Sequence, residues 1–169
     1  MPEFADKDAC ELLDADHIAV KHLFVDYARL AAYADADASE AKRTALAMKI
    51  CEELTVHAQI EEEIFYPALR KAFPHAVDLL DDAIAEHQDA KELINDVRSI
   101  GTANSAMDTL VAELNAAVDH HVKEERDELF PKARTAPNLD LMALGEKLRD
   151  RQQALQAETA MRAETRSAI

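Results

Sequence analysis

The segment His57-Ala-Gln-Ile-Glu-Glu-Glu-Ile-Phe-Tyr-Pro-Ala-Leu-Arg70 has a second copy, in outline, at His121-Val-Lys-Glu-Glu-Arg-Asp-Glu-Leu-Phe-Pro-Lys-Ala-Arg134. In both copies a glutamate follows the histidine by four residues, an aromatic residue and a proline by nine and ten, and an arginine by thirteen. Residues four apart lie on the same face of an α-helix. Each copy therefore predicts a helix that presents an imidazole beside a carboxylate, and two such helices could close on a shared metal site.

The composition around these segments favours helix along nearly the whole chain. Its 169 residues include only two glycines, alanine is abundant, and 49% of the residues are hydrophobic. Alanine is the best helix former and glycine one of the poorest. The length fits one domain with a proper core. We therefore predict an all-α protein.

Short breaks divide the chain into four main helices, predicted at 9–34, 39–72, 75–100 and 105–133, with a further segment at 139–165. Short connections between long helices favour an antiparallel up-down-up-down four-helix bundle. The predicted organisation is a bundle at 1–135 followed by a helical extension at 136–169. This extension could pack on the outside of the bundle, form a homodimer contact or fray.

The predicted boundaries depend on a few residues with known preferences at helix ends. Serine favours N-caps, proline the first helical position, and glycine the position after a helix. The residues used are Ser39, Phe73-Pro74, Gly101, Ser105 with Asp108, and Pro137. Pro67 and Pro131 lie inside or near the ends of helices two and four, where we expect each to bend or end its helix.

Apolar residues recur at spacings of three and four in all four helices, which is typical of a core stripe. Each stripe includes a histidine, and two of them also include a glutamate. The four rows are Leu13, His17, Val20, Phe24, Tyr27, Ala31; Leu46, Ile50, Leu54, His57, Glu61, Ile64; Leu80, Ile84, His87, Ile94, Val97; and Val111, Leu114, Val118, His121, Glu125, Leu129.

Four histidines and two glutamates in a bundle core need partners that offset the cost of burying polar and charged groups. Any one of the histidines could be a core residue satisfied by a hydrogen bond, but buried glutamates without partners are costly. Metal ions would supply the missing positive charge. Imidazole and carboxylate without thiolate suit iron, manganese or zinc. The predicted ligands are His17, His57, Glu61, His87, His121 and Glu125.

Six ligands favour two metal ions bridged by Glu61 and Glu125, because a structural zinc ion needs only four. His17 and His57 could serve one ion, and His87 and His121 the other. With an oxo or hydroxo bridge, an octahedral ion would keep one position open on each metal. Such a site could perform chemistry or bind a small ligand.

Other polar residues fall off the core rows. We expect His22, His75 and His120 to lie at the surface or just outside the ligand set, and Cys10 and Cys51 to be ordinary helix residues. The acids Glu62, Glu63, Glu124 and Asp127 are expected to be solvated, although one of them could orient an imidazole. The tyrosines Tyr27 and Tyr66 lie near the ligand rows and are interpreted as core residues rather than as radical or proton relays.

With these ligand rows the chain resembles the hemerythrin-like, or HHE cation-binding, family. The motifs that carry the resemblance span about residues 10–134: Asp16-His17, His57-x-x-x-Glu61-Glu62, Glu86-His87, and His121-x-x-x-Glu125 running into Leu129-Phe130-Pro131. The resemblance implies an antiparallel four-helix bundle around a non-haem di-iron centre. It also implies that the six predicted ligands bind iron.

One departure from oxygen-carrying hemerythrins concerns the third helix, where those proteins have a second histidine four residues from the first. Here those positions are Ala83 and Lys91. The pattern looks more like bacterial members associated with iron–sulfur repair, nitric oxide or peroxide. The repair type generally carries an extra N-terminal domain, and we expect the 16 residues before His17 to be too few for one.

The functional hypotheses that remain open are a di-iron enzyme that turns over O2, peroxide (H2O2) or nitric oxide (NO), a sensor or store for O2, NO or iron without turnover, and an interaction bundle without metal. The net charge of −15 disfavours nucleic acid and anionic membrane surfaces as partners. Two cysteines without a C-x-x-C motif, and no apolar signal region within residues 1–10, predict a cytoplasmic location.

Overall fold

The computed structural model describes residues 6–33 and 35–168. Two π-helical turns, Glu61–Phe65 and Glu125–Leu129, interrupt the second and the fourth of the predicted long helices. Over the described residues no strand is present. The α-helices are α1 (Ala9–Tyr33), α2 (Ala36–Ile60), α3 (Tyr66–Ala72), α4 (Val77–Ile100), α5 (Ser105–Glu124), α6 (Phe130–Thr135) and α7 (Leu141–Ser167).

These helices form an antiparallel bundle of four members. Two members are the single helices α1 and α4. The other two are composite: α2 continues through the first π-helical turn into α3 (the α2–α3 rod), and α5 continues through the second into α6 (the α5–α6 rod). Helix α1 packs against α2 and α5, and α4 packs against α5 and α2. The all-α fold class, with an additional C-terminal helix, is confirmed. The division at residue 135 stays a prediction, and residues 1–5, 34 and 169 of the two predicted segments lie outside the described residues. No helix in the described ranges has the length and apolar character needed to cross a bilayer.

The predicted starts of α2, α4 and α7 were wrong by two or three residues, whereas α5 begins at Ser105 as predicted and only its cap was wrong. The side chain of Asp35 caps α2 by accepting from the Asp37 N–H, so Ser39 lies inside the helix. Asn104, one residue before Ser105, caps α5. Helix α4 begins at Val77 rather than directly at Pro74, which lies in the preceding turn. The choice of cap depends on backbone geometry, which several neighbouring polar residues can satisfy.

Two apolar clusters fill the bundle, and the four predicted histidine ligands lie between them along each helix. On α1, for example, Leu13 belongs to one cluster and Val20 to the other, with His17 between them. Two members of the predicted rows were wrong, because Ala31 and Ile84 are exposed. On α4 the inward position is taken by Ala83, one residue before Ile84.

The two π-helical turns lie directly before the prolines expected to disturb their helices. In each turn the hydrogen bond spans five residues, from the Tyr66 N–H to the Glu61 carbonyl and from the Phe130 N–H to the Glu125 carbonyl. Proline has no N–H to continue the α-helical pattern. The helices therefore widen by one residue and continue as α3 and α6. Such turns occur often at functional sites.

Helix α7 packs on the outside of the bundle against α1, α2 and the first π-helical turn. Its buried residues are Leu144, Gly145, Leu148 and Leu155. Gly145 lies against the backbone before α1, where a Cβ atom would come within 2.5 Å of the Lys7 carbonyl oxygen. Glycine is therefore required here for close approach of the two chain segments. Of the three alternatives for this segment, packing on the bundle is the one observed.

We expect Gly145→Ala to destabilise the protein by about 1–3 kcal/mol, because the backbone at Lys7, just before α1, must shift to make room for the methyl group. Helix propensity alone predicts the opposite sign, a gain of about 1 kcal/mol. Chemical denaturation followed by circular dichroism measures the difference. Ala154→Gly, at an exposed position of α7, is the matched control for propensity. A Gly145→Ala protein as stable as the wild type would contradict the close packing.

Candidate metal centre

The six predicted ligands meet at mid-bundle, and all six are buried. Four helices supply one imidazole each, and the first residue of each π-helical turn supplies a carboxylate. The histidines come from α1, α2, α4 and α5, in the order His17, His57, His87 and His121.

The first cluster joins His17 and His57 with both glutamates. The two Nε2 atoms lie 3.0 Å apart. Glu61 Oε1 lies 3.0 Å from His57 Nε2, and Glu125 Oε1 lies 3.2 Å from His17 Nε2. Two imidazoles from adjacent helices thus face two carboxylates, one from the α2–α3 rod and one from the α5–α6 rod.

The second cluster joins His87, His121 and Glu61. The Nε2 atoms of the two histidines also lie 3.0 Å apart. Glu61 Oε2 lies 3.0 Å from His87 Nε2, and Glu125 Oε1 lies 3.1 Å from His121 Nε2. Each glutamate therefore faces both imidazole pairs, and the pairs are those interpreted from the sequence.

Behind every imidazole lies a carboxylate that faces its Nδ1 atom. The distances are 3.4 Å from His17 to Asp14, 3.1 Å from His57 to Asp16, 2.9 Å from His87 to Glu62 and 2.6 Å from His121 to Glu86. A carboxylate can only accept a hydrogen bond, so Nδ1 carries the proton. In the neutral imidazole the Nε2 lone pair then points into the centre, as in ligating histidines generally.

These orienting contacts mostly cross between helices. Asp16 precedes His17 in sequence but faces His57, and Glu86 precedes His87 but faces His121. Glu62 is the acid beside a ligand that orients an imidazole, as the sequence allowed for one of four acids. Helical spacing within one element cannot reveal partners on neighbouring helices, so Asp16 and Glu86 were missed. Asp14 lies three residues before His17 on the same helix, and it was missed although that spacing allows the contact.

Tyr66, which was predicted to be a core residue, also has its hydroxyl among the donor atoms of the centre. Its hydroxyl lies 3.1 Å from Glu61 Oε2 and 3.4 Å from Glu125 Oε2. It is also 3.3 Å from the Nε2 atoms of both His87 and His121. The phenol oxygen therefore belongs to the second cluster. The equivalent position in the other copy of the motif is Phe130, which has no oxygen to offer.

The arrangement fits metal ions better than a hydrogen-bonded core. Glu61 Oε1 and Glu125 Oε1 are buried without a hydrogen-bond partner among the described residues. The paired Nε2 atoms lie 3.0 Å apart and also face glutamate oxygens, so six donor side chains surround a space in which positive charge is favoured. Two ligand nitrogens at right angles about an ion, each at about 2.1 Å, would be separated by about 3.0 Å.

The electrostatics of the centre attract positive charge. Burial lowers the pKa of His57, but the carboxylates of Glu61 and Asp16 outweigh it and raise the pKa to about 10. Burial likewise opposes the charged form of His121, while Glu125, Glu61 and Glu86 raise its pKa to about 12. Burial would raise the pKa of Glu61, yet the imidazoles hold it well below the usual value. The same carboxylates that favour imidazolium would favour a metal cation.

Two adjoining cavities lie beside the centre. The inner one has a volume of about 50 Å³ and is lined by all four ligand histidines and by apolar side chains such as Leu54 and Ile94. The outer one, about 240 Å³, opens between α1 and α5 and is lined by residues such as Lys21 and Arg126. The two share a wall formed by His17, Val20, Val118 and Val122.

The remaining polar residues behave as expected. His22, His75 and His120 are exposed, and His120 lies with Glu124 near Glu86 in a partly exposed group. Cys10 and Cys51 are buried free thiols in the apolar clusters. Burial raises the pKa of both, to about 12 for Cys10, so neither is a thiolate suited to bind metal.

The histidine and glutamate clusters agree with comparisons to known proteins. The structure resembles the crystal structure of a hemerythrin HHE cation-binding domain-containing protein from Mycobacterium kansasii, with a TM-score of 0.77 and 24% identity over 94% of this chain and 93% of that chain. This likeness concerns the fold. No curated protein sequence gives a significant match.

The model of the hemerythrin HHE cation-binding domain matches residues 8–133, a range that contains both copies of the histidine–glutamate motif and all six predicted ligands. A match over most of the chain, on the same four helices that surround the buried clusters, shows that the chain belongs to the hemerythrin HHE cation-binding family.

Proposed function

We propose that this chain is a non-haem di-iron protein that binds or reacts with O2, peroxide or nitric oxide. It would hold two iron ions joined by an oxo or hydroxo bridge. The observation that carries the proposal is the pair of buried glutamates, each facing two imidazole pairs whose Nε2 atoms lie 3.0 Å apart. Bridging carboxylates with two imidazoles on either side form a site for two ions.

The donor set supports iron over a structural zinc ion. Nitrogen and oxygen donors without thiolate suit iron or manganese, and a structural zinc site closes with four ligands. His17 and His57 would hold one ion, and His87 and His121 the other, with Glu61 and Glu125 between them. Tyr66 Oη is placed to act as a further ligand on the His87–His121 side.

Iron would supply one-electron redox chemistry at a coordination position left open for a small molecule. The protein's own residues prepare that position. The carboxylates behind Nδ1 fix each imidazole ring, and apolar side chains around the inner cavity limit the entry of water. A cavity of about 50 Å³ has room for a diatomic molecule or for peroxide.

The outer cavity between α1 and α5 is the approach to this position, because it shares a wall with the inner cavity at His17. Val118 and Val122 stand between the two cavities and would have to move slightly for a ligand to pass. Side-chain motions of this size occur within nanoseconds. A cytoplasmic location and a homodimer through α7 remain predictions that accompany this proposal.

Protein purified without chelator should contain about two iron ions per chain and show near-ultraviolet bands of an oxo bridge. His57→Ala and Glu125→Ala should each lose both properties, because each removes a donor that the ions need. Elemental analysis and absorption spectroscopy provide the measurement. His22→Ala removes an exposed histidine from the helix that carries His17 and serves as the control. Zinc, manganese or no metal in the wild type would refute the di-iron proposal.

Tyr66→Phe should abolish any visible absorption that arises from charge transfer between a phenolate and ferric iron. The physical reason is that Tyr66 alone among the described tyrosines has its hydroxyl among the clustered donors. Tyr27→Phe is the matched control, since Tyr27 is equally buried but bonds to Asp108 at the other end of the bundle. An unchanged spectrum in Tyr66→Phe would remove Tyr66 from the ligand set.

Turnover can be separated from binding by adding peroxide to the iron-loaded protein and recording oxygen release. An enzyme with an open di-iron position should release oxygen faster than the same concentration of free iron. The alternative, a sensor or store, predicts a stable ligand-bound spectrum without oxygen release. Glu125→Ala, in which the bridge is removed, sets the background rate.

A further inference from the structure

Helix α7 lies outside the residues matched by the family model, yet one of its side chains reaches toward the metal centre. Gln152 is half-buried and donates a hydrogen bond from Nε2 to Asp16 Oδ2 at 2.8 Å. The same oxygen of Asp16 faces Nδ1 of His57 at 3.1 Å. The three side chains thus form a continuous chain from α7 to a predicted iron ligand.

All four carboxylates behind the imidazoles have a second partner, and the partner of Asp16 differs from the others. Arg126 donates to Asp14, Lys91 donates to Glu62, and His120 lies 3.3 Å from Glu86. Those three partners are charged or can become charged, and they belong to the bundle itself. Gln152 is a neutral amide and belongs to α7.

An amide and a cation have different effects on the carboxylate that they contact. A cation fixes the carboxylate but offsets its negative charge. An amide fixes the orientation of Asp16 and leaves the full charge behind His57. A fully charged acceptor increases the basicity of the imidazole toward a metal ion. The His57 side of the centre would therefore have a stronger donor than a cationic partner would allow.

We propose that Gln152 is a positioning residue of the metal centre, and that α7 contributes through it to iron binding as well as to packing. The inference rests on the proposed di-iron function. Gln152 holds Asp16 in the orientation that keeps the proton on His57 Nδ1 and directs the Nε2 lone pair at the ion. Helix α7 and the centre are then coupled, and iron loading should tighten the docking of α7 by the same free energy that docking adds to iron binding.

The neighbouring residues of α7 offer matched controls. Gln153 is the same residue type one position on and is exposed. Arg151 holds α7 on the bundle by donating to Glu63, with its Nε 2.8 Å from Glu63 Oε2. Within the described part of the chain, Arg151 bonds to none of the four carboxylates that orient the imidazoles. A variant at 151 therefore tests docking of the helix, while a variant at 152 tests the contact with Asp16.

The experiment compares iron affinity, by competition with a chelator, in wild type, Gln152→Ala, Gln153→Ala and Arg151→Ala. Gln152→Ala should lose about tenfold in affinity, a typical effect for groups that orient metal ligands. Gln153→Ala should match the wild type, and Arg151→Ala should lose less than Gln152→Ala. Hydrogen exchange should show slower exchange in α7 on iron loading of the wild type, and little change in Gln152→Ala.

Gln152→Lys provides a readout that packing alone would not move. Lysine can reach Asp16 and restore its orientation, so iron affinity should recover relative to Gln152→Ala. Its positive charge should shift the reduction potential of the centre upward, because it repels the oxidised ions more strongly than the less charged reduced ions. Equal affinity in Gln152→Ala and wild type would overturn the inference, as would equal losses in Gln152→Ala and Arg151→Ala. A wild type that binds no iron would overturn the proposed function itself and the inference with it.

Discussion

The burial of two carboxylates at the centre of the bundle is the constraint on which the rest of the structure depends. Glu61 and Glu125 have exposed fractions of 0% and 1%, and each retains an oxygen without a hydrogen-bond partner in the described part of the chain. An isolated buried carboxylate is strongly unfavourable. Four imidazoles in reach, each fixed from behind by another acid, turn this unfavourable core into a binding site. The apolar clusters on either side of the centre pack the rest of the bundle core.

Much of the fold could be predicted because the chain has few places where a helix can stop. Glycine and proline are so rare that Gly101 and Pro137 mark ends almost by themselves. The caps were less predictable, since Asp35 and Asn104 compete with nearby serines and only the backbone geometry decides between them. Ile84 was predicted to lie in the core because the spacing of apolar residues along a helix does not distinguish one position from the next. In the structure the neighbouring Ala83 faces inward instead.

The ligand rows could be read from the sequence because each histidine and glutamate shares the spacing of its own helix. Most of the groups around them could not, because only Asp14 shares a helix with the histidine that it contacts. Asp16 and Glu86 act on histidines of the neighbouring helix, and Gln152 reaches in from a helix outside the bundle. Tyr66 was visible in the repeated motif but looked equivalent to Phe130. Only the distances from its hydroxyl reveal the difference between the two halves.

The sharing of each glutamate between both imidazole pairs has a consequence for how the centre fills. In the proposed centre the first ion would fix Glu61 and Glu125, whose other oxygens or lone pairs would then already face the second position. The second ion meets ordered ligands and loses less conformational entropy on binding. This ordering of the ligands would favour cooperative uptake, against the repulsion between the two cations. Where the ordering outweighs this repulsion, a population short of iron would divide into empty and full chains.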